Sequence, residues 1–382
     1  MSRKLAAVRA IRAEGSGRPG LTRTYPKMST HIKPSLCVIN YNGERILGDS
    51  LGAAVALRDD FAEILVVDNS SEDGSLELIR SRFPEVRVVP LDYNGGPGVA
   101  RNAGIDNAIS DRVILIDNDV RLTPGCAQRL VSALDEYPAA ALAMPRILYA
   151  HKPDFINFDG ADSHYIGLQT VEGENVPAAD ATRDIRKIGS IITSCFIVDR
   201  ARLGDAVRFD ESMFIYLEDH DFGHRTRAMG HEILSLPDAT CLHGEGTEGL
   251  SLRSLGKYSS KRVFCLIRNR WLFILKNYSA KSLLLFTPIL IVYEIAQFGI
   301  VIKKGWLREW GRSVYWIASN LPEILRNRRD VQTRRVVRDS ALLIDGSIPF
   351  RQELTESALE RAAKRTLDAM VSGYWKLVRH LV

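Results

Sequence analysis

The chain is poor in cysteine and has no cysteine pattern. Its five cysteines (Cys37, Cys126, Cys195, Cys241 and Cys265) are odd in number, scattered and without a C-x-x-C pair. They argue against a disulfide framework and read as buried thiols in a reducing compartment. The N-terminus lacks the apolar stretch of roughly 7–15 residues that marks a secretory signal. No internal repeat is present. Positive charge is scarce where a nucleic-acid surface would need it. The net charge is +5, but residues 1–34 hold eight Lys/Arg against one Glu, so the remainder sums to −2. Residues 1–34 therefore read as a basic, flexible leader outside the fold, with Met28 an alternative start, and no nucleic-acid partner is expected.

What is present is an ordinary globular composition, 46% hydrophobic and 25% charged over 382 residues. That is enough for one large α/β domain and a smaller appendage. From Ser35 onward, short apolar runs alternate with amphipathic segments of helix length. Strands are predicted at Leu36–Tyr41, Glu63–Val67, Val86–Val89, Val113–Ile116 and Ala141–Ile147. Helices are predicted at Ile46–Arg58, Ser75–Arg82, Gly98–Ile109 and Cys126–Tyr137. Apolar strands in β-α-β-α order imply a mostly parallel sheet with helices on both faces. Ligands of such sheets gather at the carboxyl ends of the strands. Residues 151–187 are polar and glycine-bearing and predict a hairpin-like or irregular insert. Ile188–Asp199 predicts a strand, Asp219–Gly230 a helix closed by Gly230, His231–Leu236 a strand, and Ser251–Asn277 a long helix.

The C-terminal part differs in kind. Ser282–Ile302 is close to the length of a membrane span, with only Glu294 and Gln297 strongly polar. Lys303–Arg338 then carries ten Lys/Arg against three acids, interleaved with Trp306, Trp310 and Trp316. Basic residues among tryptophans suit an anionic membrane surface. A span would carry this basic tract away from a cytoplasmic domain, against the positive-inside rule. An in-plane or re-entrant segment is therefore favoured; a span and a buried hairpin are the alternatives.

Several strand ends carry residues fit for chemistry. Asp68, in Val66-Val-Asp-Asn-Ser-Ser71, has a carboxylate that can accept hydrogen bonds from a base or ribose; an Asx turn or helix cap is the plainer reading. Asn94-Gly-Gly-Pro-Gly98 leads into a helix bearing Arg101 and Asn102, where backbone amides and one guanidinium suit phosphate oxygens. The spacing fails the G-x-G-x-x-G dinucleotide pattern, since Arg101 stands where its last glycine belongs. Asp117-Asn118-Asp119 offers hard carboxylate oxygens to Mg²⁺ or Mn²⁺ beside a diphosphate; a solvated turn is the alternative. In Glu218-Asp219-His220-Asp221, Asp221 pairs with Arg225 one turn on, leaving Glu218 and Asp219 at the helix start. Asp219 can act there as a general base, or merely cap the helix. His243 can return to the metal or diphosphate, or sit in a surface turn. His220 and His224 read as solvent-facing or structural. Lys257, Lys261 and Arg262 read as phosphate contacts or a solvated face.

Taken in order, these motifs resemble the inverting family 2 glycosyltransferases of GT-A fold, in particular the bacterial rhamnosyltransferase-like branch that builds surface polysaccharides. The resemblance rests on the opening strand with Asn40-Tyr41-Asn42, the Val-Val-Asp68 turn, the Asn94 to Gly104 run before Asp117-Asn-Asp119, and Glu218-Asp219-x-Asp221-x-x-x-Arg225 closed by Gly230. It covers Ser35–Tyr278. It implies a GT-A domain over residues 35–278; the tail follows no family motif, and its own apolar and basic pattern predicts a helical, membrane-associating region over 279–382. Implied donor-side residues are Asn40, Asn42, Asp68 (base), Asn94, Arg101 and Asp117 (ribose or sugar). Asp119 would hold the metal, with His243 matching a histidine found after that helix in many members. Asp219 would be the base, Glu218 would support the acceptor side, and Gly189–Val198 would line the cleft floor. Pro97 departs from the aromatic or small residues that the family often carries there.

The activity implied is transfer of one sugar, with inversion, from a nucleotide-sugar donor bound with Mg²⁺ or Mn²⁺. The acceptor would be a lipid-linked or oligosaccharide hydroxyl, and the place the inner face of the cell membrane. A processive synthase is disfavoured, because neither a Q-x-x-R-W signature nor a multi-span bundle is present. A catalytically silent binding or scaffold protein with the same fold is the alternative of another class.

Overall fold

The structure is a computed structural model that describes residues 33–204, 208–244, 259–350 and 357–382. The leader expected over 1–34 thus lies outside the described residues save its last two, as does Lys257. The first half follows the predicted alternation. Strands β1 (Ser35–Asn40), β2 (Glu63–Asp68), β3 (Arg87–Pro90) and β4 (Arg112–Asp117) alternate with helices α1 (Leu47–Ala56), α2 (Ser75–Arg82) and α3 (Pro97–Asn107). β1 pairs in parallel with both β2 and β4, and β2 with β3. The chain walks outward from β1 to β3, then crosses back to lay β4 on the other side of β1. The carboxyl ends of β1 and β4 therefore flank the point where the winding reverses, the usual ligand crevice of such sheets.

After β4 the sheet becomes mixed. β5 (Val120–Leu122) and α4 (Cys126–Glu136) lead into β6 (Ala140–Tyr149), to which β7 (Lys152–Phe158) is antiparallel. β11 (Cys195–Asp199) runs antiparallel between β4 and β6, and β12 (Glu232–His243) is parallel to β6. The strand predicted over Ile188–Asp199 is thus shorter: only Cys195–Asp199 pairs as a strand, and of the residues before it Ile192–Ser194 line the cleft. β12 runs past the expected Leu236 because its pairing with β6 shifts register across Pro237 and resumes at Thr240, which carries His243 to the sheet's end. The insert contains β8 (Gly160–His164) and β9 (Leu168–Glu172), an antiparallel hairpin, and a short strand β10 (Arg186–Lys187) on the edge beside β12.

The apolar strands fill the main core: Leu36, Cys37, Val38, Leu65, Val66, Val113, Ile114, Leu115, Phe196 and Ile197 are all fully buried. The five cysteines are buried and unpaired, as their apolar settings predict.

Beyond the sheet lie α5 (Glu218–Ala228), α6 (Ser260–Asn277), α7 (Ala280–Lys303), α8 (Leu307–Ser319), α9 (Leu321–Arg334), the short strand β13 (Leu343–Ile344) and α10 (Ala358–Val378). A second core crosses the boundary expected at Tyr278. Tyr165, Ile166 and Met213 pack with Phe273 and Tyr278 of the first part, and with Phe286, Leu290, Tyr293, Val371 and Trp375 of the second. β13 also joins β8 in parallel. Residue 278 is therefore a position along a shared core and not a seam between two bodies.

Candidate active site

The carboxyl ends of β1, β4 and β12 surround a cavity of about 420 Å³ lined by Asn69, Asn94, Arg101, Asp117, Asp119, Glu218, Asp219 and His243, among others. Two acidic clusters, a hundred residues apart in sequence, thus face one space.

On one side, Asp117, Asp119 and His243 offer ligating atoms that all lie within 4.8 Å of one another. His243 Nε2 stands 3.5 Å from Asp119 Oδ1. Its Nδ1 lies 2.8 Å from Asn157 Oδ1, so Nδ1–H donates there and Nε2 turns its lone pair toward Asp119. A ligating histidine held by its other nitrogen in this way has its tautomer and ring orientation fixed. Two carboxylates and one imidazole are a donor set that fits a divalent cation such as Mn²⁺ or Mg²⁺.

On the other side, Glu218 and Asp219 open α5. Glu218 Oε1 accepts from Arg101 Nη1 at 3.1 Å, while its other oxygen is buried without a hydrogen-bond partner. Asp219 Oδ1 accepts from the His220 amide at 2.7 Å. Burial, then the neighbouring Asp219 charge, pushes the Glu218 carboxyl up to about 7. Burial pushes Asp219 up to about 6, against the backbone amide of His220 and the Arg101 cation. A carboxylate raised into this range is matched to proton transfer near neutral pH.

Arg101 joins the two sides. Its side chain is only 4% exposed, and it reaches Asp117 Oδ1 at 2.8 Å as well as Glu218. The sequence predicts a phosphate contact for Arg101; its two terminal nitrogens instead meet carboxylates, so its place is between the clusters.

Three other expected donor-side residues also sit differently. Asn40 is fully buried behind the site: its amide donates to Asp68 at 2.8 Å and its oxygen accepts from Asn118 at 2.9 Å. Asn42 ties the loop after β1 to the next one by accepting from the Glu72 amide. Neither lines the cavity; both support the residues that do. Asp68 has its two oxygens engaged by Asn40 and by the Ser71 amide and hydroxyl, the local bonds of an Asx turn. Asn69, one residue on, reaches the cavity and binds Asn94 at 3.0 Å. Asn94 in turn accepts from the Gly96 amide. Gly96 is required at this bend: its φ is +86°, and a Cβ there would lie 2.2 Å from Phe214 O.

Along α5, Asp221 and Arg225 pair at 2.7 Å as predicted. Burial opposes the Asp221 charge, but Arg225 and Lys276 hold its carboxyl well below the usual range. His220 and His224 are buried, not solvent-facing. His220 packs its ring on Phe273, centroids 4.2 Å apart, and His224 meets Ser163 at 3.1 Å. Burial pushes them down to about 3 and about 4, so both are neutral structural rings. Lys261 and Arg262 lie over the rings of Phe214 and Tyr216.

The loop that delivers Glu218 and Asp219 is strained, and the sequence gives little warning of it. Phe214, Tyr216 and Leu217 have φ of 61°, 69° and 65°. The Ile215 amide donates to Met213 O at 2.8 Å and closes a γ-turn on Phe214, an uncommon and strained form. Asn269 of α6 holds the loop: its side-chain amide donates to the carbonyls of Met213, Ile215 and Tyr216 at 2.9, 3.0 and 2.7 Å. Arg268 adds a bond to Met213 O at 2.7 Å. The only signal in sequence is polar residues inside an otherwise apolar helix, at positions 268–270.

Residues 35–185 match the family model of "Glycosyl transferase family 2". Among similar proteins is the N-acetylglucosaminyl-diphospho-decaprenol L-rhamnosyltransferase of Mycobacterium tuberculosis, 29% identical over 204 residues. That match covers 47% of this chain and 66% of that protein. The succinoglycan biosynthesis protein ExoO of Rhizobium meliloti is 31% identical over 124 residues, 32% of this chain and 34% of that one. The chain thus spans just under two thirds of the first relative and about a third of the second. Among solved structures, GalNAc-T7 with UDP, GalNAc and Mn²⁺ superposes with a TM-score of 0.55 at 13% identity, covering 76% of this chain and 57% of that one. Fold, motif order and sequence likeness agree: the chain has the GT-A fold, its residues 35–185 match glycosyl transferase family 2, and its sequence is similar to that of a rhamnosyltransferase.

Proposed function

We propose that the protein is an inverting, metal-dependent glycosyltransferase. It moves a single sugar from a nucleotide-sugar donor to a hydroxyl of a lipid-linked saccharide, in cell-surface polysaccharide synthesis at the inner face of the membrane. The observation that carries the reading is the convergence of Asp117, Asp119 and His243 with Glu218 and Asp219 on one cavity. The names of the relatives support it: one acts on a diphospho-decaprenol-linked sugar, and another is a polysaccharide biosynthesis protein.

In this reading Asn69 and Asn94 receive the base and ribose side of the donor, Asp68 braces the turn that carries Asn69, and Asp117 receives the donor's ribose or sugar. Asp119 and His243 hold the cation, with Asn157 fixing the imidazole. The cation, when bound, balances charge on the departing diphosphate. Asp219, raised by burial yet ionised above about pH 6, accepts the proton of the acceptor hydroxyl. That oxygen forms its bond to the anomeric carbon as the bond to the diphosphate breaks on the opposite face, which inverts the configuration. Arg101 keeps Glu218 and Asp117 at their separation, so that both clusters act on one sugar.

The test is calorimetric binding of UDP-, dTDP- and GDP-sugars with Mn²⁺ or Mg²⁺, and again with chelator. Binding of one nucleotide class that is lost with chelator is expected. Absence of binding to all three by folded protein would overturn the reading.

A further inference from the structure

α7 is the one helix among the described residues that is long and apolar enough to cross a membrane, with a mean hydropathy of 1.9, yet only 28% of its most apolar stretch is buried. Its two sides have different fates. Phe286, Ile289, Leu290 and Tyr293 pack into the second core. Glu294 pairs with Arg270 of α6, whose guanidinium lies 4.2 Å from the Tyr293 ring centroid, and Tyr374 of α10 donates to Leu285 O at 2.7 Å. On the opposite side, at spacings of seven, four and seven residues, stand Leu284, Ile291, Ile295 and Ile302, exposed to 76, 54, 69 and 55%. A helix whose protein-facing and outward sides are both apolar is not designed for water.

The same arrangement continues in α8. Glu309 and Ser313 turn inward, the latter bonding Phe264 O of α6 at 3.0 Å. Leu307, Val314 and Tyr315 turn outward, bordered by the exposed Arg308 and Arg312, with Lys304 in the turn before. α7 and α8 both bury their inner sides against α6, so both outward stripes face away from the same support.

We infer that the outward stripe of α7, continued by α8, is a docking face for an anionic lipid bilayer. The helices lie in the plane of the interface, with α7 shared between protein and lipid. The inference deepens the membrane side of the function proposed above and rests on it for biological sense, but its evidence is independent of the sugar chemistry. Charge complementarity selects the occupant. A second copy joined about a two-fold axis would set this basic border against its own copy, whereas an anionic headgroup layer matches it. A transbilayer placement would strip Glu294, Tyr293 and Phe286 from their partners, which an in-plane placement preserves.

The test is flotation of the full chain with phosphatidylcholine vesicles, with and without phosphatidylglycerol, in the absence of donor and metal. Binding to the anionic vesicles, weakened by salt, is expected. Ile291→Asp with Ile295→Asp should lower partitioning by about tenfold or more, and Leu284→Asp should act in the same direction. Arg308→Glu with Arg312→Glu should erase the preference for anionic vesicles. All these sites are exposed, so the variants should keep the parent's melting temperature. Unchanged binding by the aspartate variants would overturn the inference. So would absence of binding by the parent, or a concentration-dependent dimer that the aspartate variants abolish. None of these results would touch metal-dependent donor binding, which reports separately on the catalytic reading.

Discussion

Replacing Asn269 by alanine should disable the enzyme without emptying its donor site. The loop it holds contains three non-glycine residues at positive φ, each costing about 1–3 kcal/mol. A side-chain amide has two hydrogens, so its three carbonyl contacts at 2.7–3.0 Å include one shared hydrogen. At about 0.5–1.5 kcal/mol net for each contact, Asn269→Ala forfeits roughly 2–4 kcal/mol from a loop that is already strained. Arg268 and the bond from the Asp221 amide to Leu217 O remain and share the load. At about 1.4 kcal/mol per tenfold, turnover should fall by about 10–100-fold as the loop leaves the conformation that presents Asp219. Asn269→Asp should be worse, since a carboxylate would face three carbonyl oxygens. Steady-state turnover should be measured beside calorimetric binding of the nucleotide with Mn²⁺, which depends on the β1–β4 side and should change less than about threefold. Unchanged turnover, or an equal loss of turnover and nucleotide binding, would refute the argument that Asn269 acts through the loop.

Two further outcomes follow from the site. Asp219→Asn should cut turnover by about 10²-fold or more while keeping metal-dependent nucleotide binding, and parent turnover should decline as pH falls through about 6. Because the folded Asp219 carboxyl lies above its ordinary 3.8, ionising it costs stability: Asp219→Asn should melt higher than the parent above pH 6, and the gap should close below about 3.8. Asn157→Leu removes the acceptor that orients His243; Mn²⁺ affinity should drop by about 10–100-fold and turnover should recover at high Mn²⁺. Equal Mn²⁺ titrations for parent and variant would show that Asn157 does not orient a ligating His243.

The parts of this site that were legible in sequence were those announced by local pattern. Apolar runs ending in Asp or Asn marked strand ends, and the strand ends marked the cleft. The direction of β11 was not legible, because an apolar run reads the same whether the strand lies parallel or antiparallel. The family resemblance implies that Asn40 and Asn42 face the ligand; side-chain direction at a strand end depends on the turn that follows, and both are tied into the scaffold. The local sequence around Arg101 suggests a phosphate contact, whereas its partner Glu218 lies 117 residues on. For His220 and His224 the sequence leaves a solvent-facing and a structural role open; Phe273 and Ser163, from distant segments, bury them and decide for the structural one. The role of Asn269 is illegible in sequence for the same reason: it exists only once α6 lies against the loop.

The second core has a consequence for how the protein is made. Phe273 and Tyr278 leave the ribosome before the residues that cover them, the last of which, Val378, is a hundred positions further on. At roughly 5–20 residues per second, these rings wait about 5–20 s for their partners. During that interval a nascent chain with a complete donor-side sheet still displays a large, sticky half-core. Chaperone binding to stalled chains should therefore peak at lengths between the ends of α6 and α10. A chain cut after Tyr278 keeps that exposed state permanently, so its behaviour says little about what the C-terminal helices do for catalysis.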